Sequence, residues 1–583
     1  MARLPAVTSV ADITMGEDPQ LEAWVYHFLT ENNIEYLTNP SIVASAAQLR
    51  FMVALQEGQV YLPCSDALFT QMYTRAEQTG LVDAYKKSWL FIVRLIYRHD
   101  LSKQEKRRVL SLCRYRFRQY LNARMLLPSR LVKRLVKVVL TKCGILDPFA
   151  AKKRLANAKA EQVLQSSEFQ QAVNAFPAME NPTSLSLSGM RQELDMAETT
   201  RLMRLSTLDT LWTSTVPSTV LEQEVAQAAQ NIACVRTLLS QGSEERKRIL
   251  FIPDVAGGIM FDLALIRTLL RQGHEVVLAL KEFFYFKALT LWDLEDDPVI
   301  KKALGAAHVL DHNTVSKNEL LQLLREHRFL IISDGTSEQL NLYRTSVAFA
   351  RAWKECDLIL AKGRRNKEIL MESSHLFTRD ILAFWRNQDG TFAVQAKPRA
   401  EWAHKFSEKN LLAKAKEITD AMRAARAQGK TVMFYSAVIG SIPGQTDVAI
   451  TLVNTFVESL RSRMEGTFII NPAEHFVEGM DGDDLMYMWE NVQRSGLLDV
   501  WRFQTVPDIE ASFALLGRKV PSVWSGKDAT FSTGCTKEMH IALEVQRKHP
   551  ELQIIGPSPE RFFRRNEYGV GKYYDATLTR TDT

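Results

Sequence analysis

The chain has 583 residues, 46% of them hydrophobic and 24% charged, with a net charge of +6. That length suits about three or four domains of ~150 residues each, and the composition is that of a soluble globular protein rather than a disordered or fibrous one. No apolar run reaches the ~18 residues of a membrane span, the N-terminus lacks the apolar core of a signal peptide, and six scattered cysteines without CxxC spacing exclude a zinc ribbon or disulfide scaffold and fit a reducing cytoplasm.

Residues 1–20 read as a loose arm. From Leu21 to about Leu239 the pattern is helical: SAAQLRFMVALQEG and SWLFIVRLIYR carry apolar residues at helical spacing. Residues 103–142 hold thirteen Lys and Arg against one acid, Glu105. Such a stretch could meet nucleic acid or anionic lipid. Leu110, Leu112, Leu131, Leu135 and Val139 between the charges favour helices with solvated basic faces and an apolar core side, so nucleic acid is not the expected partner. Asp147-Pro148 predicts a helix start, with Asp as cap and Pro at the first position. Residues 176–194 read as turn-rich.

Five apolar runs then stop on polar or glycine residues: RILFIPDVAGG (248–258), HEVVLALKE (274–282), AHVLDHN (307–313), RFLIISDGTS (328–337) and DLILAKGRRN (357–366). Helix-like segments separate most of them. The predicted fold is therefore α/β: a helical N-terminal region, a Rossmann-like parallel-sheet core and a second α/β region. Ligands of open α/β sheets bind beyond the carboxyl ends of the strands. Asp254, Lys281, Asp311, His312, Asp334 and Lys362 are thus expected at one edge, a set suited to a divalent cation and a phosphate. Gly257 and Gly258 allow a tight turn into a helix whose free N–H groups favour phosphate. The turn matches neither GxGxxG nor the P-loop pattern.

Four ordered segments carry a family resemblance. DVAGGIMFDLALIRTLLRQGHEVVLALKE resembles the DNAGEIVFD-type motif of the damage-control phosphatase family, also called acidic residue methyltransferase-like and formerly a domain of unknown function. LDPFAAKKRLANAKAEQVL resembles its DPYxxIKxxxN helix, and IISDGTSEQLNLYRTSVAFARAW its SGxxxPGxxLxxxSxEF segment. DLILAKGRRNKEIL resembles its DLxIAKGQGNxExL motif. The resemblance implies a metal-dependent phosphatase acting on small phosphorylated metabolites such as sugar phosphates. It implies a divalent Mn, Co, Ni or Mg ion held by the Asp and Asn of DNAGE and a second Asp, and a KG-motif lysine on phosphate.

Asp254 and Lys362 match the first Asp and the lysine, and stand as the catalytic candidates. Gly257, Gly258, Ser333, Gly335, Lys362, Gly363 and Asn366 form the expected phosphate-binding set. Val255 replaces the metal-binding Asn, Gly258 the Glu, and Ala288 the second Asp. Valine and alanine have no lone pair to give, so a metal site needs substitutes, and Asp254, Asp293 and Asp334 are the candidates. Without them the edge remains a phosphate pocket with no metal. The readings are thus a divergent phosphatase, an inactive relative that binds a phosphorylated ligand or nucleotide-sugar, or a two-domain transferase.

The expected organisation is a helical N-terminal region (1–145), a damage-control-phosphatase-like domain (146–395), a helical connector (396–429) and a C-terminal α/β region (430–583). In the last, KTVMFYSAVIGS, GTFIINPAEH, LLDVWRFQ, KVPSVWSGKD and LQIIGPSP read as β-runs separated mostly by helices, one of them after Pro443-Gly444. Lys527 among Ser and Thr residues, Glu474-His475, and the basic Arg561, Arg564 and Arg565 are its ligand-capable groups. The tail from Gly569 reads as partly disordered.

Overall fold

The computed structural model describes residues 7–32, 43–74, 79–122, 125–177, 186–214, 217–229, 232–240, 246–305, 307–442, 444–475, 477 and 479–567. It divides into two compact units, residues 1–403 and 404–583.

The first unit is built on a seven-stranded sheet. Its strands are β1 (Arg248–Ile252), β2 (Glu275–Leu280), β3 (His308–Val309), β4 (Phe329–Ser333), β5 (Leu358–Lys362), β6 (Asp380–Arg386) and β7 (Phe392–Lys397), in the order β3-β4-β2-β1-β5-β6-β7. All pairings are parallel except β6 with β7. Parallel strands are buried on both faces, which explains their unbroken apolar runs. Leu250 and Ile252 face one core with Ile359 and Ala361, under the helix Val347–Glu355 and the N-terminal helices. Ile249 and Phe251 face the other with Leu358 and Leu360, under the helices Gly258–Arg271 and Leu187–Ser206. The chain builds outward from β1 through β2, then crosses back to β5 on β1's other side. The strand order therefore reverses between β1 and β5, the place where such sheets open a crevice.

The basic stretch forms the helices Lys103–Leu121 and Pro128–Cys143. Leu131, Leu135 and Val139 are fully buried, as their spacing predicts. Arg130 and Lys133 both reach the buried Glu338, at 2.7 and 3.3 Å.

The second unit has four parallel strands, β8 (Thr431–Ser436), β9 (Thr467–Ile470), β10 (Val500–Phe503) and β11 (Gln553–Ile555), in the order β11-β10-β8-β9. The helices Glu408–Ala427, Gly482–Gln493 and Thr533–Lys548 cover one face, and Thr446–Arg463 lies on the other.

Several expectations are corrected. The arm over 7–20 is not loose: Val10 and Ile13 are fully buried in the core, and a helix starts at Pro19. The helix expected at Pro148 starts at Ala150, because Asp147 accepts from the Phe149 N–H and leaves the intervening residues in a turn. The stretch 176–194 includes the start of the helix Leu187–Ser206, and 178–185 lie outside the described residues. Residues 519–528 hold turns rather than a strand; Pro521 removes a ladder donor and Trp524 buries itself against Phe513 instead. A helix at Val506–Leu515 precedes them. Pro443, the side chains of Arg564 and Arg565, and the tail from 568 lie outside the described residues.

Candidate functional site

Two turns meet where β1 and β5 end. After β1 the chain runs through Pro253, Asp254, Val255, Ala256 and Gly257 into the helix Gly258–Arg271. After β5 it turns at Gly363, φ +94°, a left-handed conformation that favours glycine. A side chain at Gly363 would collide with the Asp254 carboxylate, so the two turns touch at that point. Asn366 fastens them: its Nδ2 donates to the Lys362 carbonyl at 2.8 Å and to the Pro253 carbonyl at 3.3 Å.

Lys362 does not project into solvent. Its Nζ lies 2.7 Å from Asp262 Oδ1, with both side chains buried. Asp262 comes from the helix that follows the β1 turn. Burial, and the charge of nearby Asp254, push its carboxyl up to about 6 against the pull of Lys362; burial is the largest effect. Among the described residues its Oδ2 makes no hydrogen bond of ordinary geometry, though the Ser206 hydroxyl also lowers the carboxyl's pKa. Gly258 makes this arrangement possible, because a Cβ there would lie 2.8 Å from Lys362 Nζ. The Gly257 N–H donates to Asn157 Oδ1 at 2.6 Å, and Asn157 Nδ2 in turn donates to Asp297.

The other expected edge residues are each paired locally, and Lys281 stays next to the β5 turn: its Nζ and the Arg365 guanidinium lie over the same Tyr285 ring, at 5.5 and 5.1 Å. Asp334 accepts from Lys281 at 2.5 Å and from the Thr336 N–H at 2.8 Å; burial raises its pKa against those partners. Ser333 Oγ donates to Glu282 and accepts from the Gly335 N–H. Asp293 takes the buried Lys153 at 2.5 Å and caps its own helix through Thr290. His312 lies between Asp311 and Glu319 at 3.1 and 3.0 Å.

These groups do not fit the divalent metal that the resemblance implies. Among the described residues no set of three His, Cys, Asp or Glu side chains could hold a metal ion. Val255 and Ala288 offer no donor, Asp262 is taken by Lys362, and Asp293 and Asp334 each hold a lysine ammonium.

What lies open beside the β1 turn is a cleft of about 520 Å³ that reaches Val255. Its lining includes five bases, Lys87, Arg94, Arg98, Lys287 and Arg365, and no acid. Phe91, Phe149 and Phe286 supply aromatic walls, with Phe91 and Phe286 centroids 4.7 Å apart. The Arg365 guanidinium stacks over Phe286 at 4.5 Å and Tyr285 at 5.1 Å, and lies 3.9 Å from Asp254 Oδ1. Phe286 has φ 51°, left-handed backbone that costs a non-glycine residue about 1–2 kcal/mol. The Ala256 N–H, donating to the Lys287 carbonyl at 2.8 Å, ties that strained loop to the β1 turn.

Asp262, Arg365 and the bases of the helix Thr79–Arg98 were not among the sequence candidates. A signal existed for each. Asp262 interrupts the apolar run IMFDLALI, Arg365 lies inside KGRRN, and Lys87, Arg94 and Arg98 fall on one helical face.

In the second unit the ligand-capable groups are engaged within the fold. Lys527 Nζ lies 3.1 Å from the Phe531 ring centroid, Asp528 pairs with Arg561, Glu474 with Arg461, and Ser532 caps the helix Thr533–Lys548.

No helix among the described residues is long and apolar enough to cross a membrane. The comparison with curated proteins gave no match. A crystal structure of a DUF89 family protein from Pyrococcus horikoshii is similar at 20% identity and a TM-score of 0.37, over 52% of this chain and 90% of that one. The family model described as the damage-control phosphatase ARMT1-like domain matches residues 60–393, more than half of the sequence. The chain therefore belongs to the damage-control phosphatase ARMT1-like family.

Proposed function

We propose that this chain binds a small phosphorylated metabolite in the cleft beside the β1 and β5 turns and does not hydrolyse it. The observation that carries this reading is the cleft's charge: five bases, aromatic walls and no acid among its lining residues. Arginine matches phosphate geometry with two N–H groups at once, and Arg365 is pre-oriented by the two rings beneath it.

Hydrolysis in such a site would need an ion to polarise the phosphoryl oxygens and activate a water. The oxygen donors for that ion are replaced or paired, and Lys362 spends its charge on Asp262. Binding survives these changes because it needs only the cations.

The test is calorimetric titration of the full chain with inorganic phosphate and glucose 6-phosphate at low salt. It is paired with p-nitrophenyl phosphate turnover and metal content in Mn, Co, Ni and Mg. Binding without turnover is expected, with affinity falling about tenfold or more in Arg365→Gln, the worth of one charged hydrogen bond. Metal-dependent turnover that Asp254→Ala abolishes would restore the phosphatase reading. No binding of either probe would overturn the proposal.

A further inference from the structure

The cleft is larger and more charged than one phosphoryl group requires. A phosphate monoester carries about −1.5 to −2 near neutral pH. Five bases line the cleft, and the Asp254 carboxylate stands 3.9 Å from one of them, Arg365. One phosphoryl group would leave most of that charge unmatched. A volume near 520 Å³ belongs to sites for whole small molecules, not single oxyanions.

The bases come from two different parts of the chain. Arg365 and Lys287 belong to the β5 and β2 turns. Lys87, Arg94 and Arg98 come from the helix Thr79–Arg98, at i, i+7 and i+11, so they share one face over about 16 Å of rise. That helix is not part of the β1–β5 crevice. Leu90, half exposed, and Phe91 lie between its bases, and the Phe91 ring packs on Phe286 and Phe149, with centroids 4.7 and 6.3 Å away. The lining therefore offers two cationic groups and an aromatic surface on which a planar base can stack.

Resting on the phosphate-binding reading above, we infer that the ligand carries two linked phosphoryl groups and a planar ring, the chemistry of a nucleoside diphosphate. One phosphoryl group sits at Arg365 and Lys287, the other along Arg94 and Arg98, and the ring lies against Phe91.

Competition titrations on the full chain test this with ADP, AMP, inorganic pyrophosphate, fructose 1,6-bisphosphate and inorganic phosphate as probes. ADP is expected to bind about tenfold or more tighter than AMP, and tighter than pyrophosphate. The double variant Arg94→Gln/Arg98→Gln, both exposed positions, should remove the ADP-over-AMP preference while inorganic phosphate still binds. Phe91→Leu should narrow the gap between ADP and pyrophosphate. Lys86→Gln, on the same helix but outside the cleft, should change neither. Equal affinity for ADP and AMP, or a preference that survives the double variant, would overturn the inference while leaving phosphate binding intact. Fructose 1,6-bisphosphate binding tighter than ADP would overturn the ring. Loss of binding to every probe would instead remove the underlying reading.

Discussion

At the scale of single residues, the pair Asp262–Lys362 decides what the site can do. Both side chains are buried and 2.7 Å apart. Removing one partner of a buried pair leaves an uncompensated charge and costs about 3–5 kcal/mol, whereas replacing both by apolar groups is often close to neutral. Asp262→Asn is therefore expected to destabilise the chain by about that amount, Lys362→Met by somewhat less because an unpaired Asp262 can take up a proton. The double variant Asp262→Leu/Lys362→Met should recover most of the loss in urea unfolding. Single-variant costs below about 1 kcal/mol would mean that the pair is solvated and that Lys362 is available to a ligand after all. The sequence shows where Asp254 and Lys362 sit, because both end apolar strand runs. It does not show the partner of Lys362. That contact joins residues 100 positions apart, and only the odd carboxylate inside IMFDLALI hints at it.

At the scale of elements, the strands are legible where apolar runs stop on turn residues, and they are lost where that punctuation misleads. β6 and β7 form an antiparallel hairpin through Asn387–Thr391, with Gly390 at φ +86°; the Asp389-Gly390 step is a hairpin signal, unlike the longer helical crossovers that join the parallel strands. KVPSVW reads as a strand from its valines, but its proline and the burial of Trp524 make it a loop that closes a small core. In the second unit Glu538 joins three elements. Carried on the helix Thr533–Lys548, it accepts from Gln493 at 2.9 Å and is held near Ser436 at the end of β8. Burial pushes its carboxyl up to about 7 from an ordinary 4.5, against those hydrogen bonds. A carboxyl raised in the folded state adds stability below its unfolded pKa, and that contribution is lost as pH rises through about 7. The gap is worth at most about 3 kcal/mol. Glu538→Gln should therefore be near neutral at pH 4.5 and stabilising at pH 8, read by hydrogen exchange in β8 and β10 of the full chain. Equal protection of the two proteins at pH 8 would mean that Glu538 ionises without cost.

At the scale of the whole molecule, the sequence announces two sheet regions by the repeated α/β period, and the structure has two sheets. The reach of the first unit is harder to read. The N-terminal helices look like a separate region by composition, yet Leu131, Leu135 and Ile92 share one continuous apolar cluster with Leu250 and Ile359 of the sheet. Helical periodicity identifies an apolar face but not what covers it, so this union is invisible before folding. The cleft has the same origin: Arg94 from the N-terminal helices meets Arg365 from the β5 turn only because that shared core brings their elements together. Among the described residues, the apolar clusters on both faces of the first sheet and the bases of the cleft lie before residue 404. A chain ending at Ala403 is therefore expected to fold with a cooperative unfolding transition and to bind inorganic phosphate within about threefold of the full chain, since the bases that line the cleft all lie before residue 404. A truncated chain that keeps far-ultraviolet helix signal but loses cooperative unfolding would show that the first sheet depends on residues 404–583. One that unfolds cooperatively but no longer binds phosphate would show that the second unit completes the site.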